Sequence, residues 1–332
     1  MSAPNNIGQR QEETIIEQHL TAHIPAALAG ERLDLVLVQL FPDYSRSRLQ
    51  KWIKDGNVTV NKQKLRPKDT VFGGETVEVL VALEEEIQWE AQEIPLEIVY
   101  EDDAIIVINK PADFVVHPGA GNPDGTLGNA LLHRYPELEY VPRAGVIHRL
   151  DKDTTGLLVI ARTLSAQKSL VEQLQARQFE REYHALVVGM MTAGGTVDEP
   201  VGRHPSQRIK MAVVNNGKEA VTHYRVLERF RAHTLLKLNL ETGRTHQIRV
   251  HMAYIHYPLV GDPLYGGRLK IPPGCTANFA QLLRQFKRQA LHAARLGLMH
   301  PDTEEFMAWE APFPADMEQL ISAAREDTVA SK

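Results

Sequence analysis

The sequence contains a single cysteine among its 332 residues, Cys275. One cysteine excludes both an internal disulfide framework and a zinc site built from several cysteines. Cys275 follows the stretch Pro272-Pro273-Gly274, which is typical of a turn, and no basic or acidic residue stands beside it in sequence. A packing role is therefore expected for this thiol rather than a nucleophilic one.

Long apolar runs are also lacking. No run approaches the roughly 18 residues that a membrane-spanning helix requires. The longest candidates, such as residues 104–108, are short and indicate buried strands. The first residues, MSAPNNIGQRQEE, are polar and contain no apolar core of the kind found in signal peptides. We therefore expect a cytoplasmic protein with no membrane partner.

Excess positive charge is absent from the chain as a whole, since the net charge is −5. The charges are nevertheless separated by segment. Residues 44–70 contain eight Lys/Arg and two Asp, a net charge of +6, whereas residues 84–104 contain nine acidic residues and no basic one. Because local fields rather than the average govern RNA binding, the basic segment is a candidate for contact with an anionic partner.

The hydrophobic pattern divides the chain into four regions. Residues 1–25 are polar without a sustained pattern and are interpreted as a mobile tail. Residues 26–83 are expected to form a small α+β domain, and residues 96–325 a larger second domain. Residues 84–95, which are acidic and contain no glycine, are interpreted as the linker between them.

In the small domain, apolar residues at helical spacing over residues 33–41 indicate a first helix that Pro42 ends. Ser45 can cap a second helix, which Gly56 is expected to stop. Two strands are expected as well, at residues 58–60 and 77–81.

The larger domain mixes short strands with a few helices. Strands are expected at residues 98–100, 105–108, 156–161, 184–188, 220–226 and 235–240. Helices are expected at residues 128–135, 165–177, 245–254 and 279–286. Because the strands do not alternate regularly with long helices, the pattern favours an α+β fold with a central mixed, mostly antiparallel sheet over a doubly wound one.

The most informative segment is GVIHRLDKDTTGL at residues 145–157. A polar, charge-dense loop lies between apolar residues, and Gly156 returns the chain to an apolar strand. Such a loop projects charged side chains from a rigid scaffold, which is where catalytic groups often lie. From the residues alone, a hydrogen-bonded turn is the favoured interpretation, because Asp and Thr are good turn formers.

Three spaced segments of the small domain resemble the S4 RNA-binding domain: RLD at 32–34, SRSRLQKWIKDGNVTVN at 45–61 and GGETVEV at 73–79. The resemblance covers roughly residues 30–80 and implies contact with RNA phosphates through basic side chains of the second helix. The expected contacts are Arg46, Arg48, Lys51 and Lys54.

The larger domain resembles the pseudouridine synthases, a family that includes enzymes acting on large-subunit ribosomal RNA. The segments that carry the resemblance are HRLDKDTTGL at 148–157, REY at 181–183 and TGRTHQIRVH at 242–251. Together with the S4-like part, the match runs from about residue 30 to 320. It implies the pseudouridine synthase fold, with the sheet expected above, preceded by a small S4-like domain.

The resemblance also implies roles for individual residues. Asp151 would be the catalytic carboxylate, Arg249 its basic partner, and Tyr183 the aromatic residue that packs against the target base. An arginine beside an aspartate favours the ionised carboxylate, which suits this pairing. Arg149 would fill the space left by the flipped base. Three further substrate-binding residues are expected in these segments: His148, Leu157 and Ile248.

The segments at 115–126, 129–136 and 141–157 resemble the large-subunit enzymes in particular. That resemblance implies, as substrate, uridines in the hairpin loop of helix 69 of 23S ribosomal RNA, either free or in a precursor of the 50S particle. The isomerisation breaks C1′–N1, turns the base and joins C1′ to C5. It involves no redox change or hydrolysis, so no cofactor and no metal are expected. A monomer is expected.

Three alternatives remain open at this stage. Asp151 and Asp153 could be the paired carboxylates of a glycoside hydrolase, although such pairs need roughly 5 to 10 Å between carboxyls, which two Asp in one loop do not ensure. The chain could be a non-catalytic ribosome-binding protein that uses its S4-like domain alone. It could also perform the same isomerisation on transfer RNA.

Overall fold

The structure is a computed structural model that describes residues 17–42, 44–82, 89–119 and 121–330. The chain divides into two compact units, residues 1–86 and 87–332. Within the described residues, no helix combines the length and the apolar character that crossing a bilayer requires.

The first unit contains a three-stranded antiparallel sheet and two helices. The strands are β1 (Glu17–His23), β2 (Val58–Val60) and β3 (Thr76–Ala82), arranged in the order β1-β3-β2. The helices are α1 (Leu33–Leu40) and α2 (Arg46–Asp55). Both helices and both strands expected for this region are confirmed.

Local sequence explains how α2 begins and ends. The Ser45 hydroxyl accepts a hydrogen bond of 3.3 Å from the backbone N–H of Arg48, which caps the helix. Gly56 follows with φ of 80°, a left-handed conformation that glycine adopts without the penalty of a Cβ. Between these ends, Leu49, Trp52 and Ile53 are buried against the apolar face of α1 and the sheet.

The tail assigned to residues 1–25 was wrong for its last part, because residues 17–23 form β1. This strand pairs along its full length with β3. Leu20 and Ala22 alternate toward the core of the unit, a pattern too short to separate a strand from a tail in sequence. Residues 1–16 lie outside the described part of the chain.

The acidic segment 84–95 is only partly described, since residues 83–88 are outside the described ranges. Its second half packs on the second unit. Trp89 and Ile94 contact the apolar core there. The backbone carbonyl of Glu90 accepts a hydrogen bond of 2.8 Å from the Asn129 side chain. Residues 89–95 are therefore an ordered margin of the second unit.

The second unit is built on a large sheet. Among residues 89–330, residue 120 excepted, nine strands form it in the order β4-β5-β6-β13-β7-β12-β11-β8, with β14 paired to β13. Its strands are β4 (Ile98–Glu101), β5 (Ile105–Lys110), β6 (Thr155–Ala161), β7 (Glu180–Val188), β8 (Gly195–Asp198), β11 (Val221–Arg229), β12 (His233–Leu240), β13 (Leu291–Met299) and β14 (Phe306–Glu310). A separate hairpin consists of β9 (Val201–Arg203) and β10 (Met211–Val213).

The helices of the second unit are α3 (Leu127–Arg134), α4 (Leu164–Gln175), α5 (Gln247–Tyr254), α6 (Ala277–Gln285) and α7 (Ala315–Ala330). Among the described residues, β6 and β13 form the one parallel pair, and the remaining neighbours are antiparallel. The expectation of a mixed, mostly antiparallel sheet in an α+β fold is confirmed.

Strand β6 shows how the sheet is covered on both faces. All seven of its residues are buried. Leu158 and Ile160 face a core that contains residues of α3 and α5, whereas Leu157 and Val159 face a second core that contains residues of α4. Successive residues of a strand point to opposite faces, so β6 lies in the interior of the unit. The loop of residues 146–154 leads directly into this strand.

Candidate active site

Lys110, the last residue of β5, binds the loop that carries Asp151. The Lys110 ammonium donates three hydrogen bonds to backbone carbonyls, to Pro111 at 2.8 Å, Phe114 at 2.9 Å and Lys152 at 2.8 Å. Its side chain is 1% exposed, and this burial lowers the pKa of Lys110 to about 7. Since a neutral amine has two N–H donors, three donated bonds require the charged ammonium.

A second attachment reaches the loop from the C-terminal part of the chain. The Arg288 guanidinium is bound by both carboxylate oxygens of Asp316, at 2.7 and 2.8 Å, and donates to the Asp153 carbonyl at 3.3 Å. The Gln289 amide donates to the Thr154 hydroxyl at 3.1 Å. The loop is therefore held by residues distant in sequence on both sides.

Arg249 and Asp151 meet in the structure, as the sequence predicted. Nη1 of Arg249 donates to Oδ2 of Asp151 at 3.0 Å. The opposite edge of the guanidinium, Nε and Nη2, donates to the two oxygens of Asp262 at 2.7 and 3.0 Å. One arginine therefore joins two carboxylates, and Asp262 fixes the direction in which the guanidinium presents its remaining edge.

Asp262 is itself held in place. It is 4% exposed, and its Oδ1 accepts backbone hydrogen bonds from Leu264 at 2.9 Å and Tyr265 at 3.0 Å. Burial opposes the charged form of Arg249, but the hydrogen bonds and charge of Asp262, together with Asp151, outweigh it and raise the pKa of Arg249 above its ordinary value. The guanidinium is thus permanently charged beside Asp151.

Oδ1 of Asp151 is directed toward His246. Nε2 of that histidine lies 3.9 Å away, too far for a hydrogen bond. Burial lowers the pKa of His246, partly offset by the charge of Asp151. Its Nδ1 is 2.8 Å from the Tyr265 hydroxyl, which also accepts the Met211 backbone N–H, and the direction of the bond between the two side chains follows the tautomer of the ring. Oδ1 of Asp151 is left open toward the cavity.

A cavity of about 580 Å³ opens over Asp151, within the range of roughly 300–1,000 Å³ typical of ligand pockets. Tyr183, on β7, and Ile248, on α5, form part of its apolar wall and are 7% and 4% exposed. Arginine side chains from four separate segments also line it: Arg143, Arg149, Arg177, Arg181 and Arg244. The cavity is thus apolar beside the carboxylate and cationic around it, which suits a base attached to a phosphate backbone.

His148 lines the cavity but is not a proton donor in its resting state. Its Nε2 accepts a hydrogen bond from the backbone N–H of Val159 at 3.3 Å, so this nitrogen carries no proton. Burial, reinforced by the charge of Arg181, lowers the pKa of His148 to about 3. Its ring packs edge-on against Phe179.

Two of the expected site residues are placed differently. Leu157 is 2% exposed and packs in the core beside Val107 and Val159, away from the cavity, because it points to the opposite face of β6 from Leu158. Arg46 is bound to the buried carboxylate of Asp34 at 2.7 Å, which Arg32 also contacts at 3.0 Å. Its guanidinium therefore serves the fold of the first unit.

The other basic residues of α2 lie on its outer surface. Lys51 and Lys54 are exposed, and the Arg48 guanidinium lies 5.9 Å from the centre of the Trp52 ring. Their contact with RNA stays a prediction.

Comparison with known proteins agrees with this geometry. Residues 104–254 match the family described as RNA pseudouridylate synthase, and residues 31–77 match the S4 domain. Ribosomal large subunit pseudouridine synthase D of Yersinia pestis is 59% identical over 310 residues, covering 93% of this chain and 95% of the relative. The chain belongs to the RNA pseudouridylate synthase family.

Further relatives extend the similarity. The protein of the same name from Xanthomonas campestris pv. campestris is 59% identical over 92% of this chain and 93% of its own. A solved structure, human RNA pseudouridylate synthase domain containing 4, has a TM-score of 0.54 and 26% identity, and covers 69% of this chain and 93% of that one. The synthase is therefore an isomerase with an S4 domain, and neither a glycoside hydrolase nor a non-catalytic protein.

Sequence reasoning did not identify three residues that organise the synthase site: Lys110, Asp262 and Arg288. Lys110 ends a strongly apolar strand, and a lysine in that position is expected to be buried only if its ammonium is fully bonded. Asp262 stands in Gly261-Asp262-Pro263, where Gly and Pro indicate a loop but do not indicate a carboxylate bound to Arg249. Its contact with Arg249 arises only in the folded chain, and no sequence pattern indicates it.

Proposed function

We propose that the protein isomerises uridines to pseudouridine in 23S ribosomal RNA, in the hairpin loop of helix 69, and that it acts in the cytoplasm. The names of the relatives from Yersinia pestis and Xanthomonas campestris specify the large ribosomal subunit. Their similarity extends over more than nine tenths of the chain, so it includes the S4 domain as well as the catalytic unit. The choice of helix 69 rests on the resemblance of the segments around residues 115–157.

The observation that carries the proposed mechanism is the open oxygen of Asp151. Arg249 holds Oδ2, and Oδ1 faces the cavity with no hydrogen-bond partner among the described residues. In our proposal the target nucleotide is flipped out of the RNA at a cost of a few kcal/mol and enters this cavity. Asp151 then acts on the ribose, and the bond from C1′ to N1 breaks.

The cavity walls suit the remaining tasks. Tyr183 offers an aromatic face that can hold the uracil while it is detached and turned. Arg149 lies at the rim, exposed, where a guanidinium can occupy the space left in the RNA and contact a phosphate. Retention of the base is essential, because a lost uracil would leave an abasic site.

The S4 domain is proposed to bind the same RNA outside the reacting nucleotide. Lys51 and Lys54 present two cations on the exposed side of α2, and the surrounding segment 44–70 carries a net positive charge. Contacts of this kind fix position on RNA without reading its sequence.

Asp151→Asn tests the catalytic assignment, with Asp153→Asn as matched control. Both variants remove one negative charge from the same loop, but the Asp153 side chain does not line the cavity. We expect Asp151→Asn to bind a helix 69 hairpin and form no pseudouridine, whereas Asp153→Asn retains most of its rate. Nucleoside chromatography after a single turnover measures the pseudouridine formed by each variant. Product from Asp151→Asn at the wild-type rate would refute the assignment.

The substrate is tested separately. Unmodified 23S ribosomal RNA and unmodified transfer RNA are each incubated with wild-type enzyme, and pseudouridine is located by carbodiimide labelling and primer extension. We expect product in helix 69 of the first RNA. Product in transfer RNA alone would leave the chemistry intact and overturn the proposed substrate.

A further inference from the structure

Arg181 combines deep burial with an unused hydrogen-bond donor. It lies on β7 and is 8% exposed. Its Nη2 donates to the carbonyls of Leu240 at 3.4 Å and Glu241 at 3.2 Å, yet Nε is buried without any hydrogen-bond partner. A buried donor left unpaired carries the full cost of its lost hydration, and such atoms in a native structure call for an explanation.

The position of Arg181 points to a role for its guanidinium, because the side chain lines the same cavity as Asp151. It stands two residues before Tyr183 on one strand, so both side chains project to the same face of the sheet. No carboxylate of the described residues is paired with it. Burial lowers the pKa of Arg181, but a guanidinium stays charged in proteins.

The neighbourhood keeps space for this guanidinium. Gly243 lines the cavity beside it, and a Cβ at that position would lie 2.9 Å from Nη1 of Arg181. Burial, reinforced by the charge of Arg181, lowers the pKa of His148, whose Nε2 accepts the Val159 N–H, so this ring adds no competing positive charge. A buried cation without a carboxylate partner in the cavity wall interacts strongly with any negative charge that forms beside it.

The reaction generates such a charge on the base. When C1′–N1 breaks, the electron pair of that bond leaves with the uracil. This holds whether Asp151 forms a bond to C1′ or removes a ribose proton. The negative charge is shared by N1 and the two carbonyl oxygens of the ring until C5 attacks C1′, which displaces the Asp151 carboxylate or, after proton removal, returns the proton from Asp151 to the ribose. C5 then loses its proton and N1 gains one, so the product is an isomer of the substrate.

We propose that Arg181 is a catalytic residue that binds the flipped uracil, donating an N–H from the Nη1 side of its guanidinium to a ring carbonyl oxygen and stabilising the detached uracil anion. Tyr183 holds the ring by its face, and Arg181 holds it by its edge. Donors placed where charge develops are typically worth about 10²–10³ in rate. Arg181 thus acts on the leaving base, and Asp151 on the sugar.

The test compares two leaving groups in one enzyme. A helix 69 hairpin is prepared with uridine or with 5-fluorouridine at the target position, since the fluorine withdraws electrons and stabilises the departing anion by itself. We measure the single-turnover rate of C1′–N1 cleavage for wild type, Arg181→Gln and Arg181→Lys. We expect Arg181→Gln to lose about 100-fold on uridine and at most about tenfold on 5-fluorouridine. Arg181→Lys is expected to recover part of the loss on uridine.

Arg231→Gln is the matched control for lost stability. Arg231 is also partly buried, with one unpaired donor, but it binds Asp327 on α7 outside the cavity. We expect this variant to unfold at lower urea concentration while the ratio of rates on the two substrates stays that of wild type. Gly243→Ala displaces Nη1 of Arg181. Like Arg181→Gln, it is expected to lose more of its cleavage rate on uridine than on 5-fluorouridine. Equal losses of Arg181→Gln on both substrates would overturn the proposal.

Discussion

At the scale of single residues, the site depends on how Arg249 distributes its donors. Two of them are taken by Asp262, which is buried, and one is left for Asp151, which borders the cavity. Asp151 is therefore oriented by a single hydrogen bond on one oxygen, and its other oxygen is available to substrate. A carboxylate bound on both oxygens would be better held but less able to react.

Asp262→Asn should consequently impair both stability and catalysis. Removing one partner of a buried ion pair typically costs about 3–5 kcal/mol, and the guanidinium would be free to turn toward Asp151. We expect a loss of about 3 kcal/mol in urea unfolding and a lower single-turnover rate at unchanged RNA affinity. Glu228→Gln, which removes the carboxylate bound to Arg325 at 2.8 Å, is the exposed control and should cost less than about 1 kcal/mol. Similar losses for the two variants would contradict this account.

His233 predicts a specific pH dependence of stability. Its side chain is 1% exposed against Phe279, and burial lowers the pKa of His233 to about 4. In the unfolded chain a histidine titrates near 6.5, so below that pH the unfolded state binds a proton that the folded state does not. Folding stability contributed by the neutral ring is present above pH 6.5 and is lost as the pH falls toward 4.

His233→Gln removes this titration. Between pH 6.5 and pH 4, the unfolding free energy of wild type should fall by up to about 3 kcal/mol more than that of the variant. Urea unfolding at four or five pH values within that window measures the difference. Parallel pH profiles for the two proteins would show that burial of His233 is not responsible.

At the scale of secondary structure elements, local sequence patterns were sufficient to predict a helix or strand that has one buried face. Helices α2 and α4 begin at capping residues and show apolar spacing, and the sequence placed both within about two residues. The sequence assigned nothing to residues 291–330, although β13, β14 and α7 lie there. Strand β13, LHAARLGLM, is central in the sheet and buried on both faces, so it shows no alternation of apolar and polar residues.

The same contrast applies to the site. The loop with Asp151, the strand with Tyr183 and the helix with Arg249 could be placed from sequence because each carries a recognisable segment. The attachments by Asp262, Arg288 and Lys110 could not, because each joins residues that are brought together only by the sheet. Leu157 was misplaced because the sequence does not show which face of β6 meets the cavity.

Lys110→Met tests the attachment between β5 and the catalytic loop. Methionine is close to lysine in length but leaves three carbonyls without their donor, and an unpaired buried carbonyl costs about 1–3 kcal/mol. We expect a loss of at least about 3 kcal/mol in unfolding free energy and a reduced single-turnover rate from the folded fraction. Lys152→Met, which removes the exposed ion pair with Asp113 at 2.7 Å, is the control and should change stability little. A stable, fully active Lys110→Met enzyme would contradict the role of this lysine.

At the scale of the whole molecule, the proposed division of labour is between binding by the first unit and chemistry by the second. A double variant, Lys51→Gln with Lys54→Gln, should weaken RNA binding and reduce the magnitude of the salt slope by about 1.4 to 1.8, since each phosphate contact contributes about 0.7–0.9. The rate at saturating RNA should not change. Binding titrations from 50 to 300 mM salt measure the slope.

The control for that experiment removes two cations from the second unit instead, Arg295 and Arg325, which are paired with Glu310 and Glu228 at 2.8 Å. We expect their replacement by Gln to leave the salt slope unchanged. A slope that falls equally in both double variants would indicate that RNA responds to net charge and does not contact α2.

The central position of β13 has a consequence for how the protein is made. This strand, residues 291–299, lies between β6 and β7, which are synthesised more than 100 residues earlier. Until the ribosome has translated it, both of those strands present unpaired backbone edges, and the nascent chain depends on the slow formation of distant contacts. A chain terminated prematurely near residue 290 would thus be an aggregation-prone product, and the catalytic sheet can be completed only after residue 299 has been synthesised.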